Sequence, residues 1–351
     1  MNNYCIVERD SHEFHAGSKA RNDVGQILTD QGWTALPVHR SRGKGIPDKL
    51  KMAAVTWMDW RKVCRTVGQG DTLLVQYPLD MYPKVSRVAI PFLRKMREKG
   101  VQLIFLIHDL DSLRGIENNG ERQFLETADV LIAHNQVMAE YLCERGYGDK
   151  AIRTLGLFDY LSEEACPACN TGDPREVVVA GNLRPDKAGY VYRLGQLDSK
   201  VRFRLYGLNY QEGAPQAGVK YCGQYPPEQL PQVLRGGFGL VWDGDEIQSC
   251  SGVYGSYLRY NNPHKTSLYL ACGLPVIVWD QSAIAEYVVE HHLGLAVRSL
   301  EELPRRLQRM DRAEYAALCQ GAAEMGERLR RGDMLRRALR GHLPPKDEVS
   351  E

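Results

Sequence analysis

The segment 261–267, NNPHKTS, places several hydrogen-bonding groups and one fixed positive charge at the start of an apolar stretch. Proline is favoured at the first position of a helix and asparagine just before it, which predicts Asn262 as the N-cap and Pro263 as the first helical residue. The free N–H groups of a helix start attract anions, and Lys265 in the first turn opposes the helix dipole unless an anion lies between them. The candidate phosphate ligands here are Asn262, His264, Lys265 and Ser267. The alternative is a capped helix with a solvated lysine.

A second group of candidates ends the predicted strand 177–182, in the stretch VVVAGNLRPDK. Gly181 permits close approach of a ligand to the backbone, Asn182 can donate or accept a hydrogen bond, and Arg184 offers a planar fork suited to phosphate oxygens. The alternative is an ordinary turn with an exposed arginine. Tyr206 ends the next strand, where its ring could stack on a base or fill the core. No GxGxxG or Walker pattern accompanies these residues, so a dinucleotide-binding or ATP-binding loop is not predicted.

A third group lies in the turn that follows the first predicted strand. It contains His12, Glu13, His15, Gly17, Ser18 and Lys19. Such a turn can close over a ligand, and Gly17 and Ser18 are its candidate contacts. Two histidines three residues apart with an acid also suggest a metal, but no third ligand is spaced for one. No metal site is therefore predicted.

Candidate proton acceptors follow the most apolar strand of the first half, VQLIFLIHD. Its carboxyl end is His108 and Asp109, and Asp111 follows two residues later. An imidazole or a carboxylate at this point could take a proton from an incoming hydroxyl group. These three residues are the candidate catalytic bases. The alternative is that the group caps the helix that follows.

Two further patterns give weaker signals. Cys166 and Cys169 have the spacing of a redox or zinc motif, but a second cysteine pair is absent and the segment has the composition of an acidic linker, so neither function is predicted. The basic stretch 328–340 also carries leucines and a methionine. It fits a helix on an anionic membrane surface or a helix whose arginines extend along a domain seam, and we favour the seam.

Length and composition limit the classes of protein to consider. The chain has 351 residues, 43 % of them hydrophobic and 25 % charged, with a formal net charge of +1. A chain of this length usually forms two domains, and a nearly neutral chain gives no reason to expect a nucleic acid as partner. Nine cysteines are scattered through apolar patterns, and neither a secretory leader nor an apolar run of about 20 residues occurs. This favours a reduced, cytoplasmic protein.

Strand and helix patterns alternate along both halves of the chain, which predicts an α/β fold. Apolar residues on both faces of the strands indicate parallel sheets covered by helices on both sides. The predicted parts are an N-terminal Rossmann-like domain (1–158), a linker (159–174), a C-terminal Rossmann-like domain (175–325) and a C-terminal helix crossing back to the first domain (326–351). Two doubly wound domains facing across a cleft would bind ligands at their strand ends.

These segments resemble the GT-B glycosyltransferases that include bacterial galactofuranosyltransferases and the glucosyltransferase that extends sugars on serine-rich adhesins. The matching stretches are SKARNDV at 18–24, IHD at 107–109, GN-R at 181–184, YPPEQLPQVLRGGFGLVW at 225–242 and YNNPHKTSLYLACGLPVIVW at 260–279. The resemblance covers nearly the whole chain, is dense in the second domain and is looser between 40 and 100. It implies the GT-B fold.

The resemblance also implies a nucleotide-sugar donor, normally linked to UDP and held mainly by the second domain, with the acceptor bound largely by the first. The residues carried over are Lys265 and Arg184 at the diphosphate, Gly181, Asn182 and Tyr206 near the nucleotide, and Gly17 and Ser18 approaching from across the cleft. GT-B enzymes typically need no metal, so neither a metal nor another cofactor is expected. A helix start with Lys and Arg would then stabilise the departing diphosphate.

We therefore expect a cytoplasmic, metal-independent glycosyltransferase that moves galactofuranose from UDP-galactofuranose, with inversion, onto a cell-surface or lipid-linked glycan. Inversion needs a general base, for which His108 and Asp109 are the first choices and Asp111 the reserve. The alternatives are a UDP-glucose-dependent glucosyltransferase acting on a glycosylated adhesin, and a non-catalytic GT-B partner or scaffold. A peripheral position at the inner face of the cell membrane and a homo-oligomer are left open.

Overall fold

The computed structural model of the chain describes residues 1–9, 16–39, 46–79, 83–116, 120–162, 172–198 and 200–341. The chain forms two compact units. The first spans Met1–Glu13, Arg21–Leu155 and Leu335–Glu351, and the second spans Phe14–Ala20 and Gly156–Met334. The candidate residues His12, Glu13 and His15 and the pair Cys166 and Cys169 lie outside the described residues.

The first sheet has six parallel strands. They are β1 Asn3–Arg9, β2 Thr34–His39, β3 Thr72–Tyr77, β4 Gln102–Ile107, β5 Val130–Ala133 and β6 Ala151–Thr154, in the order β2-β1-β3-β4-β5-β6. The intervening α-helices are α1 Ala16–Asp30, α2 Ile46–Thr66, α3 Pro83–Ser86, α4 Ala89–Glu98, α5 Glu121–Leu125 and α6 Gln136–Leu142, with a 3₁₀ turn over Asp111–Arg114 and a π turn over Cys143–Tyr147. All of β3 is buried, as expected for a strand covered by helices on both faces.

The second sheet also has six parallel strands. They are β7 Glu176–Asn182, β8 Arg202–Leu208, β9 Val219–Tyr221, β10 Phe238–Val241, β11 Val276–Trp279 and β12 Gly294–Val297, in the order β12-β11-β10-β7-β8-β9. The α-helices are α7 Pro185–Ala188, α8 Leu230–Val233, α9 Gly252–Tyr257, α10 His264–Ala271, α11 Ala285–Glu290, α12 Leu303–Arg309, α13 Arg312–Arg331 and α14 Asp333–Ala338, with 3₁₀ turns over Gly189–Gln196 and Leu300–Glu302. The predicted α/β, doubly wound class is confirmed.

Each sheet reverses its strand order beside its first strand. In the first sheet the chain passes from β1 to β2 on one side and then returns to β3 on the other. In the second it passes from β7 to β8 and β9 and then returns to β10 on the other side of β7. Loops leave the two strands at such a reversal point towards opposite faces of the sheet, which opens a crevice at their carboxyl ends where ligands bind. Ligand-binding residues are therefore expected at the ends of β1 and β3, and of β7 and β10.

The C-terminal basic segment is packed against protein. Leu329, Met334, Leu335 and Leu339 are all at most 1 % exposed. Arg330 donates to the carbonyl oxygen of Ala271 at 2.6 Å, and Arg337 donates to that of Leu155 at 3.3 Å. Because its apolar residues are covered and these arginines bond to backbone, the segment follows the packed alternative and not that of a membrane-surface helix. No helix among the described residues is both long and apolar enough to cross a membrane.

Candidate functional site

The carboxyl end of β7 leaves open space at Gly181. The φ angle of this glycine is +145°, which L-residues rarely adopt, and no described atom beyond its chain neighbours lies within 4 Å of where a β-carbon would stand. Gly181 pairs in register with Gly207 of β8, where an added β-carbon would stand 1.7 Å from the Gly181 carbonyl oxygen. Gly207 thus permits close packing of the strands, whereas Gly181 leaves room for a group from outside the chain.

Asn182 and Arg184 form the turn after β7. Oδ1 of Asn182 accepts hydrogen bonds from the backbone N–H of Arg184 at 3.2 Å and from Nδ2 of Asn209 at 3.0 Å. The side chain of Arg184 is half exposed, and its guanidinium donates to the carboxylate of Asp186. Asn182 therefore shapes the turn, and Arg184 carries a cation near the end of β7.

Helix α10 begins one residue later than predicted. Its first residue is His264, and its N-cap is Pro263, whose ψ of 136° is extended and which makes no side-chain capping bond. Asn262 is buried, and its Nδ2 donates to the carbonyl oxygen of Gly156. The predicted N-cap at Asn262 and helical start at Pro263 are wrong because the extended backbone of Pro263 moves the first helical residue to His264.

Lys265 is held by the residues that follow β10. Its Nζ donates to the carbonyl oxygen of Trp242 at 2.9 Å and to Oδ1 of Asp243 at 2.8 Å. The Lys265 and Asp243 side chains are only 18 % and 12 % exposed. The conflict between this lysine and the helix dipole is thus relieved by a carboxylate of the chain itself, so the reasoning that an external anion must relieve it is wrong. The ammonium has three N–H groups, and the third has no acceptor among the described residues.

Several buried polar atoms at the start of α10 have no partner within the described part of the chain. They are Nε2 of His264, Oγ1 of Thr266 and Oγ of Ser267. Hydroxyl groups inside helices commonly bond to the carbonyl four residues earlier, and these two do not. Leaving such an atom unpaired costs about 1–3 kcal/mol, so three of them at one helix start indicate a place where a ligand would supply the missing bonds.

His264 is kept neutral by its surroundings. Its ring centroid lies 5.2 Å from that of Tyr160 and 6.1 Å from that of Phe158. Nζ of Lys19 lies 4.7 Å from the Tyr160 ring centroid and donates to the carbonyl oxygen of Leu161 at 2.8 Å. Burial and the charge of Lys19 lower the pKa of His264 to about 4. At neutral pH this imidazole is therefore an uncharged hydrogen-bonding group.

A rigid support lies behind α10. Helix α13 starts at a cap in which Oδ1 of Asp311 accepts from the backbone N–H of Glu314 at 2.8 Å, and it ends at Gly332 with a φ of +83°. At Gly326 it comes so close to α10 that an added β-carbon would stand 2.1 Å from the carbonyl oxygen of Leu270. The position of α10 is therefore fixed by backbone packing.

The other candidate donor contacts are Tyr206, Gly17 and Ser18, and their role in donor binding stays a prediction. Tyr206 is 4 % exposed, burial raises its pKa to about 12, and its ring lies 6.3 Å from that of Tyr225. Tyr206 thus follows the core-filling alternative, and Tyr225, 38 % exposed, is the accessible ring beside it. Gly17 and Ser18 lie in the first turn of α1 and not in a preceding turn, because α1 begins at Ala16.

In the first unit, His108 belongs to a chain of hydrogen bonds at the reversal point of the sheet. Nε2 of His108 lies 2.8 Å from Oε1 of Gln76, and Nε2 of Gln76 donates to the carbonyl oxygen of Arg21 at 3.2 Å. The guanidinium of Arg21 donates to Glu8 at 3.2 Å and to the carbonyl oxygen of Pro78 at 2.5 Å. Arg21 therefore ties the end of β1 to the end of β3.

This chain of bonds assigns the proton on His108. Nε2 of Gln76 donates to the carbonyl oxygen of Arg21. If the amide of Gln76 were flipped, its Oε1 would face this carbonyl oxygen, and two acceptors would lie against each other. Oε1 of Gln76 must then accept, so Nε2 of His108 carries the hydrogen and Nδ1 is the basic nitrogen of the neutral ring.

The other two candidate bases have different surroundings. Asp109, 39 % exposed, lies 3.3 Å from the guanidinium of Arg114. Asp111 is buried at the start of the 3₁₀ turn. Burial and the charges of Glu121 and Asp111 raise the pKa of Tyr77. Of the three, His108 is the one whose proton position is set by a neighbour at the reversal point.

Two neighbours of the candidate residues were missed from the sequence. Asp243 was not among the candidate residues, although a carboxylate two residues after the end of β10 could have been placed at the same sheet edge as Lys265. Gln76 is the one polar side chain between Leu73 and Tyr77 in a fully buried strand, which was an available signal. Among the described residues, no three His, Cys, Asp or Glu side chains are placed to hold a metal ion.

Comparisons with known proteins cover both units. The family described as glucosyltransferase 3-like matches with its N-terminal domain over residues 3–157 and its C-terminal domain over residues 177–341. The β-1,6-galactofuranosyltransferase WbbI of Escherichia coli K12 is 36 % identical over 342 residues, which cover 96 % of this chain and 97 % of that protein. Glucosyltransferase 3 of Streptococcus parasanguinis is 27 % identical over 275 residues, which cover 77 % of this chain and 78 % of that protein.

A solved structure shares the fold. The sucrose-phosphate synthase of Thermosynechococcus elongatus matches with a TM-score of 0.64 at 13 % sequence identity, over 97 % of this chain and 99 % of that one. At this identity the likeness concerns the fold alone, and it confirms the predicted GT-B architecture. The sequence matches confirm the resemblance to the galactofuranosyltransferase and adhesin-glucosyltransferase type.

Proposed function

The chain belongs to the glucosyltransferase 3-like family of GT-B glycosyltransferases, and we propose that it transfers galactofuranose from UDP-galactofuranose to a cell-surface glycan. Membership makes it a nucleotide-sugar-dependent transferase. The choice of sugar is supported by the higher identity and coverage of the galactofuranosyltransferase relative to the glucosyltransferase. A cytoplasmic location is supported by the seven described cysteines, all of which are free, as in reducing compartments.

We assign the UDP group to the ends of β7 and β10 in the second unit. The observation that carries this assignment is the set of buried, unpaired polar atoms at the start of α10. Phosphate oxygens there would accept from the hydroxyl groups of Thr266 and Ser267, from the free N–H groups of the helix and from the third N–H of Lys265. The space beside Gly181 would admit the rest of the nucleotide, with Arg184 as a nearby cation.

The leaving group of this reaction is UDP, whose β-phosphate gains negative charge as its bond to the sugar breaks. Because Asp243 neutralises Lys265, we propose that the stabilisation at α10 comes from hydrogen-bond donors rather than from net charge. Donors held in place before the reaction need no reorganisation as charge develops, so they lower the barrier effectively. We therefore propose that transfer proceeds without a divalent metal.

We assign the general base to His108. Inversion requires the acceptor oxygen to attack the anomeric carbon from the side opposite UDP, while its proton passes to a base. Nδ1 of His108 would take this proton, the new carbon–oxygen bond would form, and UDP would leave with the electrons of the broken bond. Gln76 would accept from Nε2–H of the resulting imidazolium, and it thus supports the charged state. Asp109 and Asp111 remain the alternative bases.

A second candidate function uses the same fold and donor site with glucose as the sugar. It is favoured by the match to glucosyltransferase 3, although this match covers less of the chain than the galactofuranosyltransferase does. A third, non-catalytic function as a GT-B partner would retain nucleotide binding without transfer.

Incubation of the purified chain with a panel of UDP-sugars and a glycan acceptor separates these functions. We expect UDP-galactofuranose to be the one donor of the panel that gives UDP release and a glycosylated acceptor. Mass spectrometry would identify the galactofuranosyl product, and NMR would give its anomeric configuration. The rate should be the same with EDTA as with added magnesium. Transfer from UDP-glucose alone would establish the second candidate, and UDP binding without transfer from any donor would establish the third.

A further inference from the structure

The outward side of α2 carries three large apolar side chains that the described part of the chain leaves at least 45 % exposed. Leu50 is 69 % exposed, Trp57 45 % and Met58 56 %. Positions separated by seven and eight residues lie on one side of a helix, so the three side chains point the same way. Single exposed apolar residues are ordinary, but three on one side of one helix form a surface that a partner would cover.

Basic side chains continue the same side of α2. Lys51, Arg61, Lys62 and Arg65 are all exposed. The one acid between Leu50 and Thr66 is Asp59, whose carboxylate accepts from the backbone N–H of His39 at 2.8 Å and lies 3.0 Å from Nδ1 of that histidine. From Leu50 to Thr66, the part of α2 whose side chains are described, the exposed charges on this side of the helix are therefore all positive.

Helix α4 extends this surface. The ring centroid of Phe92 lies 6.1 Å from that of Trp57, and Nζ of Lys99 donates to the carbonyl oxygen of Cys64 at 2.9 Å. Lys95, three residues after Phe92 and four before Lys99, is exposed on the same side of α4. The guanidinium carbon Cζ of Arg61 lies 5.1 Å from the Trp57 ring centroid. We call the exposed residues Leu50 to Arg65 of α2, with Phe92 and Lys95, the α2–α4 face.

We propose that the α2–α4 face docks on the surface of an anionic lipid bilayer. A tryptophan ring prefers the depth of the lipid headgroups, and leucine and methionine enter the acyl boundary beside it. Lysine and arginine around them bind lipid phosphates, which also explains why acids are missing from the face. The chain as a whole is nearly neutral, which gives no general reason to expect a nucleic acid as the partner.

The charge requirement is tested by vesicle flotation with the full chain. We expect binding to phosphatidylcholine vesicles that contain phosphatidylglycerol, weakening as salt is added, and no binding to pure phosphatidylcholine. Each basic residue near such a surface strengthens binding roughly fivefold, so Arg61→Glu with Arg65→Glu should weaken it by at least about 25-fold. The control is Arg305→Glu with Arg309→Glu, two exposed arginines with the same spacing at the end of α12, and it should change binding by less than about twofold.

The apolar requirement has its own readout. Of the five tryptophans of the chain, Trp57 is exposed and the other four, Trp33, Trp60, Trp242 and Trp279, are at most 2 % exposed. Tryptophan emission should therefore shift to the blue on vesicle binding and be quenched by brominated lipid. Leu50→Ser with Met58→Ser should abolish binding, whereas Val289→Ser, at a 51 % exposed valine of the second unit, should not.

Several results would overturn the proposal. They are no binding to anionic vesicles, equal losses in the α2 variants and their controls, or a concentration-dependent dimer in solution that Leu50→Ser with Met58→Ser dissolves. The last would make the face an interface between two copies. Vesicle binding needs no donor sugar, so this test and the donor-panel test fail independently.

Discussion

The pairing of Lys265 with Asp243 allows the donor site to be tested by two changes with opposite effects on UDP affinity. Lys265→Met removes two charge-assisted hydrogen bonds within the chain, and Asp243→Asn keeps the oxygen that accepts from Lys265 but removes its charge. Since both side chains are partly exposed, we expect each change to lower the free energy of unfolding by about 1–2 kcal/mol. The double variant should lose about 1 kcal/mol less than the sum of the single variants, because the two residues share one interaction.

The same variants should separate in UDP affinity. Lys265→Met removes a donor to phosphate, which should weaken UDP binding by about 1.5–3 kcal/mol, or roughly 10- to 100-fold. Asp243→Asn removes a negative charge near the diphosphate, which should tighten binding by about 1 kcal/mol, or roughly fivefold. Isothermal titration calorimetry well below the unfolding temperature measures both, with Lys220→Met, at an exposed lysine of β9, as control.

If both changes weakened UDP binding equally, Asp243 would only hold the lysine in place. If the UDP affinity of Lys265→Met were within about twofold of that of the unchanged chain, the assignment of the diphosphate to α10 would be refuted.

Three other predictions follow from single contacts. Gly181→Ala should lower the free energy of unfolding by about 1–3 kcal/mol and weaken UDP binding at least about tenfold. The control Gly115→Ala, at a φ of +66° in open space, should lower stability by a similar amount and leave UDP binding unchanged, with stability measured by denaturant unfolding and UDP affinity by calorimetry. Gln76→Leu should lower kcat by at least about tenfold, with little change in the KM for the donor, and should shift the acid limb of the pH–rate profile. A purely structural role of Gln76 would leave the pH–rate profile in place, and Gln76→Glu should restore the position of His108. The folded-state pKa of His264, about 4, is below the unfolded value of 6.5, so the unfolded chain binds the proton first as the pH decreases. The free energy of unfolding should therefore fall between about pH 6.5 and about pH 4, by at most about 1.4 kcal/mol per pH unit, and His264→Gln should reduce this slope in urea unfolding.

Local patterns predicted most of the elements, and the exceptions have local causes. Strands with continuous apolar runs, such as β4 and β7, were placed within one or two residues because burial on both faces leaves little ambiguity. The sequence pattern over 84–99 taken alone predicts one helix, whereas the structure has α3 and α4 there. Pro91 explains the division, since its ring would clash with the carbonyl of Arg87 if one helix continued through both segments. That signal was present in the sequence and was not used.

The site was predicted less completely, because its decisive contacts join residues far apart in the chain. Lys265 was identified from its position in a helix start, but its partner Asp243 lies 22 residues away. His108 was identified from the end of its strand, but Gln76, which fixes its proton, lies 32 residues away. Propensity and periodicity describe neighbours along one element and carry no information on which side chains meet at a sheet edge.

The two units share one architecture, and the difference between their reversal points indicates which of them takes the nucleotide. Between β1 and β3, the guanidinium of Arg21 already donates to Glu8 and to backbone carbonyls of β3 and the residues that follow it. Between β7 and β10, the corresponding edge has open space at Gly181 and unpaired atoms at the start of α10. A diphosphate, which brings several acceptor oxygens, would gain hydrogen bonds at the second edge. At the first edge it would have to displace the acceptors to which Arg21 already donates. The first edge is suited to hold His108 in one orientation, and the second is suited to bind a diphosphate.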